Sequence, residues 1–81
     1  MTKAEEETLR IISKVCKVPE GDLKPEVRLI QDLDIDSVIT LDLLIALEES
    51  LKIDIPEVDA AELKTVADVL AYVRERVPAQ P

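Results

Sequence analysis

Three segments of the chain carry aliphatic residues at helical spacing, and no stretch alternates apolar and polar residues with a period of two. The clearest segment is the last. Val66, Val69, Leu70, Val73 and Val77 fall at i, i+3, i+4, i+7 and i+11. Within residues 5–16, Leu9, Ile12 and Cys16 share a face that Ile11 and Val15 widen. From about Ser37 to Leu51, the residues Leu43, Leu44, Leu47 and Leu51 form a third stripe. Such a stripe leaves water only by packing on another element. The pattern therefore predicts an all-α fold, a small antiparallel bundle of three main helices plus one short helix over residues 59–63.

The breaks between stripes are as informative as the stripes. Val18-Pro19-Glu20-Gly21 stops the first helix, because Pro lacks a donor and Gly tolerates unusual dihedrals. Ile55-Pro56 closes the second. Thr65 reads as an N-cap for the last helix, with Asp68 three residues on in a capping-box arrangement. Residues 19–36 lack periodicity and form a long loop between helices one and two. Val27, Leu29, Ile30, Leu33 and Ile35 are expected to pin it to the core. A loop this long in a compact domain usually has a purpose. Residues 1–81 read as a single domain, with 78–81 a frayed tail.

Composition narrows the function. With 10 basic against 18 acidic residues the net charge is −8, which argues against a nucleic-acid partner and against anionic membrane surfaces. The longest apolar run, Leu43–Leu47, is too short to cross a bilayer, and the N-terminus is polar, so no membrane insertion and a cytoplasmic location are expected. Cys16 has no second cysteine to pair with and reads as a small core hydrophobe. Phe and Trp are absent and Tyr72 is the single tyrosine, leaving an aliphatic core.

The stretch DLDIDSVITLDLL, residues 32–44, invites two chemical readings. Counted from Asp32, Asp34 and Asp36 fall at positions 3 and 5 of a calcium loop. However, Ser37 stands where the loop's Gly belongs and Leu43 where its bidentate Glu belongs, so no metal site is expected. A nucleophilic Ser37 would need a base. The chain has no His, no Gly-x-Ser-x-Gly elbow and no Ser-x-x-Lys, and its only Gly is Gly21. An enzyme is therefore not expected. What remains is a serine at the start of a helix, where either Asp36 or Ser37 serves as N-cap and the helix dipole favours a phosphate ester.

Charge singles out the same helix. Residues 32–59 hold nine acids and one base, Lys52, a net of 1 − 9 = −8; the rest of the chain sums to zero. Beside the core stripe, Val38, Leu41 and Ile45 form an apolar strip edged by Asp42, Glu48 and Glu49. That combination reads as a docking surface for a basic, partly apolar partner. The competing reading of the strip is a helix buried on two sides in a small bundle, and the alternative function is an unmodified acidic helical protein-interaction module.

The segment DLDIDSVITLDLLIALEESLKIDIP, together with the loop VPEGDLKPEVRLIQDLDIDS and the closing TVADVLAYV, resembles the acyl carrier proteins over most of its length. The resemblance implies a four-helix bundle and a 4′-phosphopantetheine arm, delivered from coenzyme A by a phosphopantetheinyl transferase and attached to Ser37. It implies that the arm carries acyl groups as thioesters in fatty acid, polyketide or specialised acyl synthesis. Asp36 would help the transferase engage the site. Val38, Leu41, Asp42, Ile45, Glu48 and Glu49 would be read by acyl-processing enzymes with basic docking surfaces, visited by a monomeric carrier. Some members of the family also shelter the acyl chain between helices. Three residues depart from the common pattern: Asp34 where Gly is usual, Val38 in place of Leu, and Ile39 where an acid or other polar residue is frequent. These departures lean toward a carrier dedicated to one pathway, and Asp34 toward a different approach of the loop to the helix.

Overall fold

The computed structural model describes residues 2–77. The helices are α1 (Lys3–Cys16), α2 (Ser37–Leu51), α3 (Glu57–Ala60) and α4 (Val66–Arg76), with one 3₁₀ turn at Glu20–Asp22. Among the described residues there is no strand, only an isolated antiparallel bridge between Arg28 and Thr65.

Helices α1 and α4 begin with full capping boxes. In α1, the Glu5 N–H donates to Thr2 Oγ1 at 3.2 Å and the Thr2 N–H to Glu5 Oε1 at 3.0 Å. In α4, the Asp68 N–H donates to Thr65 Oγ1 and the Thr65 N–H to Asp68 Oδ2, both at 3.1 Å. Each box satisfies first-turn N–H groups that have no partner inside the helix. The helix ends at Arg76, one residue before the last member of the predicted stripe. Val77 is its extended C-cap, donating to Val73 O at 2.8 Å.

The core draws Ile11 and Ile12 from α1, Leu43 and Leu47 from α2, and Val66, Val69, Leu70 and Val73 from α4. The buried face of α1 is turned from the expected one. Leu9 and Cys16 are half-buried, while Ala4 and Thr8 lie inside. Thr8 can be buried because its hydroxyl donates to Ala4 O at 2.7 Å. A reading of apolar residues alone passes over such a position.

The loop between α1 and α2 is a structural part of the bundle. Leu23, Leu29 and Ile35 are buried, and Val27 and Leu33 half-buried. Ile30, expected to pin the loop, faces solvent instead, because Leu29 beside it takes the inward position. Backbone bonds tie the loop to the start of α4. Val66 and Ala67 N–H donate to Val27 O (2.9 Å) and Pro25 O (3.0 Å), and Leu29 N–H donates to Lys64 O (2.9 Å). The loop thus supplies acceptors for two donors of α4's first turn that no helical carbonyl can reach.

The short helix starts two residues earlier than expected, at Glu57. Pro56 precedes it with φ −59°, and its carbonyl accepts from Asp59 and Ala60 N–H. Residues 61–62 continue only as a turn.

Candidate functional site

Asp34 has φ 53°, in the left-handed region that L-residues other than Asn and Asp seldom enter. The turn it makes explains why glycine suits this position. Its outcome is an alternation: Ile35 is buried, while Asp36 and Ser37 are exposed. Of the two candidate caps, Asp36 is the one used. Its Oδ1 accepts the Ile39 N–H at 2.9 Å, and its carbonyl accepts Thr40 N–H and Thr40 Oγ1–H at 3.0 and 2.9 Å. Ser37 is therefore the first residue of α2. Among the described residues no hydrogen bond engages its Oγ, and the N–H groups of Ser37 and Val38 precede any helical carbonyl that could accept them.

The three acids of the calcium-like spacing do not converge on one point. Asp32 accepts the Arg28 N–H at 2.8 Å and its guanidinium at 3.2 Å. The backbone bond first, and the guanidinium second, hold its carboxyl below the usual aspartate value. Asp36 caps the helix, and Asp34 sits in the turn. No cluster of three metal-ligating side chains exists among the described residues.

Beyond the serine, Val38, Leu41 and Ile45 are 65%, 57% and 44% exposed. Asp42 and Glu49 are exposed beside them. Glu48 is half-buried, and its Oε2 accepts the Ile55 N–H at 2.8 Å, so this acid also anchors the segment that leads into α3. Asp59 faces α4, where Tyr72 Oη–H donates to it at 2.7 Å and Arg76 at 3.1 Å. The single-sign charge along α2 and its flanks thus rests on Asp34, Asp36, Asp42, Glu48, Glu49, Asp54 and Glu57, for which the described residues provide no ion pair.

A cleft of about 590 Å³ opens beside Ser37. Thr40 and Leu41 lie at its mouth. The buried Leu43, Leu47 and Val69 line it, together with Leu29 and Gln31 from the loop and Ala60, Ala61 and Leu63 from α3 and the turn after it. The sequence signals for this cleft were weak, since a cavity is defined by residues remote in sequence. Leu29 and Leu63 look like ordinary loop hydrophobes until the fold brings both to the lining of one cleft.

The description "Phosphopantetheine attachment site" matches residues 6–73. The chain is 41% identical to the acyl carrier protein of Helicobacter hepaticus over 63 residues, covering 78% of this chain and 83% of that one. It is 34% identical to the acyl carrier protein of Rickettsia canadensis over 74 residues, covering 91% and 86%. A solution structure assigned to an acyl carrier protein of Anaplasma phagocytophilum superposes with a TM-score of 0.82 at 25% identity, covering 90% of this chain and 86% of that one. The chain belongs to the acyl carrier protein family, whose cofactor is phosphopantetheine. Family membership carries with it interaction with a transferase and with acyl-processing enzymes. No helix among the described residues is long and apolar enough to cross a membrane.

Proposed function

We propose that Ser37 takes the 4′-phosphopantetheine arm and that residues 1–81 act as one cytoplasmic, monomeric carrier that performs no chemistry itself. The observation that carries this reading is the exposed Ser37 at the first position of α2, with Asp36 beside it and the cleft at its side. The residues fit the group. The hydroxyl is open to solvent, the helix start favours a phosphodiester's negative charge, and the cap is made by a different side chain, so modification costs the helix no hydrogen bond. Once attached, the arm supplies a thiol that holds acyl groups as thioesters.

Asp36 serves the transferase as the acid next to the serine. Val38, Leu41, Asp42, Ile45 and Glu49 form the face that basic partners read, with Glu48 at its edge. Single-sign charge of this kind speeds association by roughly 10- to 1,000-fold at low salt. The cleft is apolar enough to shelter cargo. Burying roughly eight methylenes there contributes at most about 6 kcal/mol, less the cost of parting the helices. The apolar Ile39 and the Asp34 turn favour a carrier dedicated to polyketide or specialised acyl synthesis over one serving general fatty acid synthesis.

Incubation with coenzyme A and a promiscuous transferase, read by intact mass, tests the assignment. One phosphopantetheine adduct is expected on the wild-type chain and none on Ser37→Ala. An adduct that persists in Ser37→Ala, or no adduct under conditions that load a control carrier, overturns it.

A further inference from the structure

Helix α3 lines the cleft through Ala60 and the turn after it, yet it has little to hold it. It is four residues long, contains no fully buried residue, and exposes Val58 to 76%. A helix this short has no stability of its own. By contrast α4 is rigidly seated, with Val66, Val69 and Val73 at most 2% exposed and a full capping box at its start.

Between the two lies a single carboxylate. Asp59, on α3, receives two donors from α4: Tyr72 Oη at 2.7 Å and Arg76 Nη2 at 3.1 Å. The Tyr72 hydroxyl also lies 3.4 Å from Asp54 O, in the segment leading into α3. The Arg76 guanidinium stacks 4.6 Å from the Tyr72 ring centroid, so the two donors brace each other. Asp59 and Tyr72 are both half-buried, which makes this charge-assisted pair stronger than a bridge in open water.

We infer that Tyr72 and Arg76 are positioning residues that latch α3 through Asp59, and so set how far the cleft opens around an acyl cargo. The cargo half of this inference rests on the reading of Ser37 and the cleft given above; the latch itself does not. Attachment at Ser37 is not expected to depend on the latch, since none of the three residues touches the serine or its cap.

The test compares wild type with Tyr72→Phe and Asp59→Asn. On the unmodified protein, hydrogen exchange of the amides of residues 57–63 is expected to rise about tenfold, with α1 unchanged. Carriers loaded with acetyl or octanoyl groups are then exposed to hydroxylamine. Cleavage of the octanoyl thioester is expected to speed up by about three- to tenfold in the variants, with acetyl cleavage unchanged because a two-carbon group does not fill the cleft. Unchanged exchange in α3, or a rise spread evenly over all helices, overturns the latch. A local rise in exchange with octanoyl cleavage unchanged, or with both thioesters accelerated alike, overturns its control of cargo. Failure of the wild-type chain to accept the arm at Ser37 overturns the carrier reading and with it the cargo half, while the exchange measurement still decides the latch.

Discussion

Helices α1 and α2 are similar in length and pack against each other, but they obey different rules. Helix α1 has a complete capping box, acids in its first turn and Lys14 in its last, as the helix dipole favours. Helix α2 has one cap bond from Asp36, no acid among its first-turn residues, and no base in its last turn. It also leaves Val38, Leu41 and Ile45 largely in water and gathers exposed acids around them. A chain selected only to fold would not be expected to repeat these choices on one helix. Helices α1 and α4 carry the fuller caps, while α2 packs Leu43 and Leu47 into the core and spends its outer face on exposed apolar and acidic residues; on the proposed reading that face is what partners recognise.

The most forceful way to break this division is to truncate one aliphatic side chain in each region. Ile12→Ala removes a fully buried side chain from α1 and is expected to cost about 2–5 kcal/mol in urea unfolding. Leu41→Ala, on the exposed strip, is expected to stay within about 0.5 kcal/mol of wild type. It should instead lower kcat/KM for transfer of the arm by the transferase. A Leu41→Ala variant that unfolds as easily as Ile12→Ala would mean that the strip is part of the core.

The division was only partly legible in the sequence. The bounds of α2 and the Thr65–Asp68 cap were readable because they depend on residues close together in the chain. Helix α1 has its stripe in the sequence, but the true inward face includes Thr8, whose burial depends on a bond to Ala4 that a hydropathy pattern does not register. The start of α3 was misjudged because Pro56, which ends one segment, also serves as the N-cap of the next. Ser37 and the acids around it were legible as a charge pattern. The cleft and the Asp59–Tyr72–Arg76 contact were not, since each joins residues whose proximity only the fold creates.

The caps give a finer comparison. Thr65→Ala and Asp36→Ala each remove one side-chain acceptor from a helix start, and each is expected to cost about 1 kcal/mol. Their functional effects should diverge. Thr65→Ala should load at the wild-type rate, because it lies in the framework. Asp36→Ala should load more slowly by more than its stability loss explains, because on the proposed reading the acid beside the serine also meets the transferase. Equal loading of the two variants at a temperature where both are folded would reduce Asp36 to a cap.

The smallest effect concerns pH. Glu5 is held below its ordinary value of 4.5, first by the Thr2 N–H and also by the Thr2 hydroxyl and Arg74, with partial desolvation opposing them. A carboxylate whose folded pKa is lowered binds its proton more readily when unfolded. It therefore contributes stability in full above about pH 4.5, and loses that contribution as pH falls through the lower folded value. Glu5→Gln keeps a capping-box acceptor and removes only the charge at the start of α1, so the expected cost at pH 7 is about 0.5 kcal/mol. The difference between wild type and variant should shrink toward zero as urea unfolding is repeated from pH 5 down to pH 3. A difference that stays constant over that range would show that Glu5 acts through its shape, and that the electrostatic order of the framework helix matters less than its packing.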